Sequence, residues 1–509
     1  MISRIITLSN FTFLRFFLLG SALAFTQEPF NLPYSNFLVL PFISFLVMRS
    51  LKTSKQYFFS GLGLGLGYFG LTFIWIINPF LVDPQKNIWL APFAYFLFVS
   101  SLSLFWAIAF YLSNYLIKDE QENSKKVFFF SVLFALAELL RCYLFSGFPW
   151  AILSYGWLDT PVSIFVTWFG PYIFNSLIII VGFNLLYSSM LNNAFKIIFF
   201  ITILFGLQNY YLEKGTKKSS EGLTVRLVQP NIKQKDKWKK ENEVQHLKIL
   251  IDLSNKSPRP DLVVWPETAV YWLPQENPEK LKFIAEQVRS PLLLGALRFN
   301  RDTKKLFNAV FLIDDKGEIL SFYDKTFLVP FGEYLPLGGL LRYFNIFGNS
   351  YRFVDGFSSG SGLELIKNSG FPTFLPLICY EALFSNEILG EVKEAHWILN
   401  ITNDAWFGNS SGPKQHLNIA RMRALENNIP LIRVSNNGIS AKISKNGKIE
   451  KYIALDKKGF LDVGLSFNTE RKNTFYTTIG KNISGYLHLL LLLLTILYYS
   501  MFNRKKRGE

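Results

Sequence analysis

The sequence predicts a polytopic α-helical membrane domain joined to an α/β layer domain, and three observations carry that prediction. Half of the 509 residues are hydrophobic and 52 are phenylalanine, more than a soluble domain of this length carries. The apolar residues gather in two places: a series of stretches from about residue 9 to residue 212, and an isolated one, "SGYLHLLLLLLTILYYSMF", from Ser484 to Phe502. Between them, from about Gly222 to Asn468, the pattern changes to short apolar runs separated by amphipathic segments.

Each apolar stretch has roughly the ~20 residues that a spanning helix needs. Seven spans are predicted over 9–26, 33–49, 56–78, 88–114, 127–145, 162–190 and 195–212, and 484–502 makes about eight. Basic residues fall in alternate loops: Arg49, Lys52 and Lys55, then Lys118, Lys125 and Lys126, then Lys196, then the tail "NRKKRGE". The other short loops hold Lys86 as their only basic residue. By the positive-inside rule both termini face the cytoplasm, and the region between spans seven and eight lies outside. The expected organisation is a membrane domain over 1–212, an extracytoplasmic domain over 222–468, a returning span over 484–502 and a basic cytoplasmic tail over 503–509.

The net charge of +16 does not indicate nucleic acid, because the basic residues sit in cytoplasmic loops or spread over the outer domain without forming a stripe. Ala22 and Ala24 have the spacing of a signal-peptide cleavage site. Arg15 interrupts the region such a peptide would keep apolar, so an uncleaved first span is expected.

In the outer domain, strands are predicted for "LTVRLVQPNI", "DLVVWPE", "PLLLGALRF", "NAVFLID", "GEILSFYD", "TFLPLICYE", "HWILNITND", "IPLIRVS" and "GISAKIS". Helices are predicted for "WKKENEVQHLKILIDLS", "PEKLKFIAEQVR" and "GPKQHLNIARMRALEN". Such alternation indicates sheets covered by helices.

Two motifs lose their usual meaning here. "GLGYFG", Gly65 to Gly70, fits G-x-G-x-x-G but lies inside an apolar span with no strand before it, so close helix packing through small residues is the better reading. His246, His396, His416 and His488 show no metal-binding spacing, and no metal site is expected. His416 is a candidate base for a cysteine nucleophile, with a surface or supporting histidine as its alternative.

Only two cysteines are present, Cys142 in span five and Cys379 in the outer domain, which makes no disulfide framework. Three outer-domain strands run into a reactive group: "DLVVWPE" into Glu267, "GEILSFYDK" into Lys325 and "TFLPLICYE" into Cys379. Strand ends are where α/β folds place reacting groups. A carboxylate to take a thiol proton, a thiolate to attack a carbonyl and an ammonium to hold the oxyanion together suit acyl transfer. Taken singly, each has a bland reading: a cap for Glu267, a solvated charge for Lys325, a small core residue for Cys379.

At this point the sequence resembles a family. Residues 222–468 are similar to the nitrilase superfamily, and nearly the whole chain is similar to the apolipoprotein N-acyltransferases. The motifs are "VQPNIKQKDKW" at 228–238, "WPET" at 265–268, "YDKTFLVPFGEYLP" at 323–336, "ICYE" at 378–381, "NDAWFG" at 403–408, "GPKQHLNIARMRALEN" at 412–427, and "GFPW" at 147–150 in an outward loop. The resemblance implies a nitrilase-like αββα sandwich with Glu267, Lys325 and Cys379 as a catalytic triad. It implies supporting roles for Glu333, Tyr380 and Glu381, and substrate-binding or gating roles for Trp238 and Trp406. Asn437, in "VSNNGIS", stands where many relatives carry a threonine.

The implied reaction is a two-step acyl transfer that needs no cofactor. Cys379 takes an acyl chain from a membrane phospholipid as a thioester, and the α-amine of a diacylglyceryl-cysteine at an apolipoprotein's N-terminus then accepts it. The partners implied are phospholipid, apolipoprotein and the bilayer, with no nucleic acid and a monomeric chain. A membrane-bound amidase or nitrilase using water is the rival within the superfamily. A transporter is the rival outside it; against that, the spans carry few ionisable residues, chiefly Glu138 and Arg141, which at i and i+3 are expected to pair.

Overall fold

The computed structural model describes residues 2–116, 122–213, 222–336, 356–368, 370–466 and 473–506. Lys118, the tether up to residue 221, residues 467 and 468 of the predicted outer domain and the tail beyond Lys506 lie outside the described residues. The chain divides into two compact units, one of residues 1–217, 410–422 and 474–509, the other of residues 218–409 and 423–473.

The first unit is helical. Four of its described helices, Pro84–Leu116, Asn123–Ser146, Pro161–Phe183 and Met190–Gln208, are long and apolar enough to cross a membrane. A fifth crossing arises if Ser54–Thr72 and Ile74–Leu81, bent by 49°, form one span. Phe11–Ala24 and Ile483–Leu497 are shorter apolar helices, and Asn36–Ser50 is a helix of 15 residues. Predicted span 56–78 is therefore broken at Phe73, beyond which Pro79 offers no N–H to an α-helical ladder. Predicted span 162–190 stops at Phe183, where the Asn184 side chain donates to the Ile180 carbonyl at 2.9 Å and satisfies one orphan of the helix end.

The glycines of "GLGYFG" serve packing. A Cβ on Gly67 would stand 2.0 Å from the Phe17 carbonyl oxygen, and one on Gly65 would stand 2.7 Å from the Ser103 Cα. Arg141 and Glu138 pair as expected, by two bonds of 2.9 and 2.8 Å, and Glu138 also accepts from the Trp106 indole at 2.7 Å. Arg141 further donates to the carbonyls of Phe148 and Trp150, fixing the "GFPW" loop. Trp150 and Trp75 both donate to Gln415 Oε1, at 2.9 and 3.0 Å, so the start of helix Gly412–Asn427 belongs to this helical unit.

The second unit holds two six-stranded sheets. The first runs β12 (Gly459–Ser466), β1 (Gly222–Gln229), β2 (Leu262–Val264), β3 (Leu292–Asn300), β4 (Lys305–Ile313), β5 (Ile319–Asp324). The second runs β11 (Ile449–Ile453), β10 (Ser440–Ile443), β9 (Leu431–Ser435), β8 (Trp397–Thr402), β7 (Phe371–Ile378), β6 (Ile366–Asn368). In each, three consecutive strands are parallel, β1-β2-β3 and β7-β8-β9, and the flanking pairs are antiparallel. Parallel neighbours need crossovers, and helices supply them: Glu243–Ser254, Pro278–Val288, Ser385–Glu391 and Gly412–Asn427.

Alternation along the strands sorts side chains to two faces. Val263 and Trp265 join Leu250, Leu281 and Ile284 in a core under the first two helices. The other faces meet where β1 packs on β9 and β10 and β4 packs on β7, giving an α/β/β/α layering. Strands β6, β11 and β12 were not predicted.

Candidate active site

Glu267, Lys325 and Cys379 each follow the end of a strand, and the layering brings those ends together. β2 stops at Val264, after which Trp265 and Pro266 lead to Glu267. The turn lies close over β3: a Cβ on Gly295 would stand 2.2 Å from the Pro266 carbonyl oxygen, so no larger residue lets the turn settle there. Ala269 N–H donates to the Gly295 carbonyl at 2.7 Å and closes it. β5 ends at Asp324, and Lys325 N–H continues the ladder to the Asn308 carbonyl at 2.8 Å. β7 ends at Ile378, and Cys379 takes φ +53°, the left-handed region that a side chain occupies only when its surroundings hold it there.

Lys325 is buried between two carboxylates, with Nζ at 2.8 Å from Glu333 Oε1 and 3.3 Å from Glu267 Oε1. Asn308, at the centre of β4, donates to both, at 2.7 Å to Glu267 and 3.1 Å to Glu333. Glu333 is fixed in turn by the Val329 N–H at 2.8 Å. Burial works to raise the Glu267 carboxyl; Lys325, Lys237 and the Asn308 bond outweigh it and hold the group below the usual carboxylate range. Burial likewise pulls Lys325 down, and Glu267 and Glu333 outweigh it, so the ammonium keeps its proton more firmly than an ordinary lysine.

Cys379 is partly exposed. Burial pushes its thiol up to about 12, Glu267 adds to the rise, and Lys325 opposes it. The Thr402 hydroxyl reaches the sulfur and also stands 3.1 Å from Asp404 Oδ1. Asp404 pairs with the fully buried Arg433 at 2.7 Å.

Glu381 touches none of these charges directly. One of its oxygens accepts from the Tyr323 hydroxyl at 2.6 Å, Thr326 N–H at 2.6 Å and Phe327 N–H at 3.2 Å; the other accepts from Ile378 N–H at 2.6 Å. It thereby ties the segment carrying Lys325 to the strand end carrying Cys379. Burial pushes its carboxyl up to about 7 against the pull of these donors. Tyr380 is buried with its ring edge-on to Phe384 at 5.2 Å.

Trp238 and Trp406 are both exposed, Trp238 leaning on Tyr271 with ring centres 6.0 Å apart. Their loops are linked, since Asn403 donates to Gln234 at 2.8 Å and Asn436 donates to Asn403 at 2.9 Å. Asn437 sits outside this cluster, donating to Asp456 at 3.3 Å. His416 is buried in the helical unit against Trp150, ring centres 5.4 Å apart, and the carboxylates whose charges reach Cys379 are Glu267 and, less strongly, Asp404. Two further residues reach the cluster without having been singled out in the sequence: Asn308, and Lys237, buried against the Glu267 turn.

Against this geometry the chain can be compared with known proteins. Residues 224–470 match the profile of the carbon-nitrogen hydrolase family, and residues 19–184 match that of the apolipoprotein N-acyltransferase N-terminal domain. An apolipoprotein N-acyltransferase of Brucella melitensis biotype 1 is 31% identical over 519 residues, covering 95% of this chain and 94% of the relative. Proteins of the same name from Agrobacterium fabrum and Sinorhizobium fredii are 33% and 32% identical, covering 81% and 89% of this chain and 80% and 87% of their own lengths. With both halves matched and nearly full-length likeness to several relatives, this chain belongs to the apolipoprotein N-acyltransferase family.

Proposed function

We propose that the chain transfers a fatty acyl group from a membrane phospholipid to the α-amine of the N-terminal diacylglyceryl-cysteine of apolipoproteins, the closing step of bacterial lipoprotein maturation. The observation that carries the reading is the buried Glu267–Lys325–Glu333 cluster at the strand ends beside Cys379. Family membership supplies the substrate class.

In this reading Cys379 attacks the ester carbonyl of the phospholipid as Glu267 takes its proton. The S–C bond forms, the tetrahedral oxyanion is held by Lys325, and collapse expels the lysophospholipid alkoxide, which takes the proton back from Glu267. The acceptor amine then attacks the thioester, gives a proton to Glu267, and the thiol leaves with it. Because Glu267 is held low and the thiol high, no thiolate accumulates at rest; it forms only as attack begins.

Glu333 and Asn308 keep Lys325 and Glu267 in register, Tyr380 and Glu381 hold the nucleophile's turn, and Trp238 and Trp406 line the approach of the acyl chains. The chain would sit in the inner membrane as a monomer with about eight spans, both termini cytoplasmic and the domain over 222–468 on the periplasmic face. That placement lets two lipid-anchored substrates reach one thiol without leaving the bilayer.

The test is transfer itself, with purified protein, phospholipid and a diacylated lipopeptide in vesicles. N-acylated lipopeptide and lysophospholipid are expected in equal amounts, and neither from Cys379→Ser or Glu267→Gln. Free fatty acid in place of acylated peptide would make the chain a hydrolase.

A further inference from the structure

Lys237 closes the short helix Gln234–Lys237 and precedes Trp238; Trp238 is exposed, whereas Lys237 is 2% exposed. Its Nζ donates to the Glu267 main-chain carbonyl at 3.0 Å and to Thr268 Oγ1 at 2.7 Å. Thr268 has φ +44°, a left-handed conformation that a β-branched residue keeps only under constraint. The lysine's own position is set independently. Asn403 holds Gln234, and Asn436 clamps Ile232 through both its N–H, at 3.0 Å, and its carbonyl, at 2.8 Å.

A neutral donor is enough to satisfy a carbonyl and a hydroxyl, and burying an ammonium to do so is costly. What the ammonium adds is charge. Lys325 lies between Glu267 and Glu333, and Lys237 is a second lysine whose charge bears on Glu267; without Lys237 the two carboxylates share the Lys325 ammonium alone.

We propose that Lys237 is a positioning residue for the transfer, holding the Glu267–Thr268 turn in its left-handed form and supplying the second positive charge that keeps Glu267 ionised, and so ready as a base, until it takes the proton of Cys379. The inference rests on Glu267 as base and Cys379 as nucleophile.

The role makes the reaction sensitive to pH at both ends. Burial pulls Lys237 down to about 8, Glu267 and Cys379 oppose that by favouring the charged lysine, and the Lys237 charge also bears on His246. Below that pH the second positive charge is in place; as pH rises through it, the charge and its help are lost. Glu267 lies low because of Lys325 and Lys237, so losing Lys237 raises it and moves the acid limb upward.

The experiment follows lysophospholipid release by the full chain in phospholipid vesicles across pH. Lys237→Met is expected to slow release ~100-fold, the scale of a misplaced catalytic group, with half-saturation by phospholipid unchanged and the acid limb at higher pH. Lys237→Arg is expected to regain part of the rate and push the alkaline limb upward. Thr268→Val, which removes an acceptor and no charge, is expected to slow release without moving either limb. A Lys237→Met profile superimposed on wild type, with Glu267→Gln inactive, overturns the role of Lys237 alone; an active Glu267→Gln overturns the base assignment beneath it. Should Lys237→Met not fold, an alkaline limb of Lys237→Arg at the wild-type pH overturns the proposal.

Discussion

At the scale of single residues the site is a charge balance closed around a neutral thiol. Cys379 is pushed up to about 12, so its thiolate fraction should climb about tenfold per pH unit far beyond neutrality. Alkylation of the resting protein by iodoacetamide is therefore expected to be slow at pH 7 and to rise continuously from pH 6 to 9. A plateau near pH 7 would mean a preformed thiolate and a different resting state.

Glu381 acts through geometry. Its four donors demand an acceptor on both oxygens, and Glu381→Gln sets an NH2 against at least one of them. The expected cost is about 1–3 kcal/mol of stability, read as a lower unfolding midpoint, together with slower acyl transfer, because Ile378 and Thr326 no longer share a tie. Unchanged stability and rate would remove Glu381 from the site's framework.

The positions of Glu267, Lys325 and Cys379 at strand ends were legible because each closes an apolar run, a pattern local in sequence. Lys237 was not: in "KQKDKWKK" every lysine looks solvated, and only the fold buries one of them. Asn308 was hidden as the first letter of "NAVFLID", since a polar residue opening a strand usually faces water. Glu381 is the nearest carboxylate to the thiol in sequence, yet its partners lie 54 to 58 residues away as well as 3.

Among elements, the parallel strands were readable as apolar runs because both their faces are covered. The missed strands flank them. β11 and β6 are edge strands, β11 reading "IEKYI" with mostly exposed side chains and β6 only three residues long, and β12 carries glycines at Gly459 and Gly464. The span broken at Phe73 looked continuous because hydropathy does not register a 49° bend.

Helix Ser54–Thr72 depends on its glycines for close approach, and they are not equivalent. A Cβ on Gly67 would meet the Phe17 carbonyl oxygen at 2.0 Å, whereas one on Gly70 would meet Tyr95 Oη at 3.4 Å, ordinary contact. Gly67→Ala is expected to lower the thermal midpoint in detergent, at a cost of about 1–3 kcal/mol, and Gly70→Ala to leave it nearly unchanged. Equal midpoints for the two variants would show that this helix pair does not pack as described.

For the whole molecule, the chain forms one helical unit and one unit of two six-stranded sheets. Helix Gly412–Asn427 starts in the helical unit, where Gln415 accepts from Trp75 and Trp150, and ends in the sheet unit, where Glu426 accepts from Ser385 at 2.9 Å. The sequence marked this helix and the three strand ends that meet at the site, and its resemblance to a family supplied the chemistry proposed for them. The division of one helix between two units lay beyond local pattern.

The central claim is that Cys379 carries the acyl group between the two substrates. Intact mass of the purified chain after incubation with phospholipid alone tests it directly. Wild type should gain one fatty acyl group that neutral hydroxylamine removes, and Cys379→Ser should form no such hydroxylamine-labile adduct. Wild type that acylates lipopeptide under the same conditions yet never carries an acyl group would contradict the account.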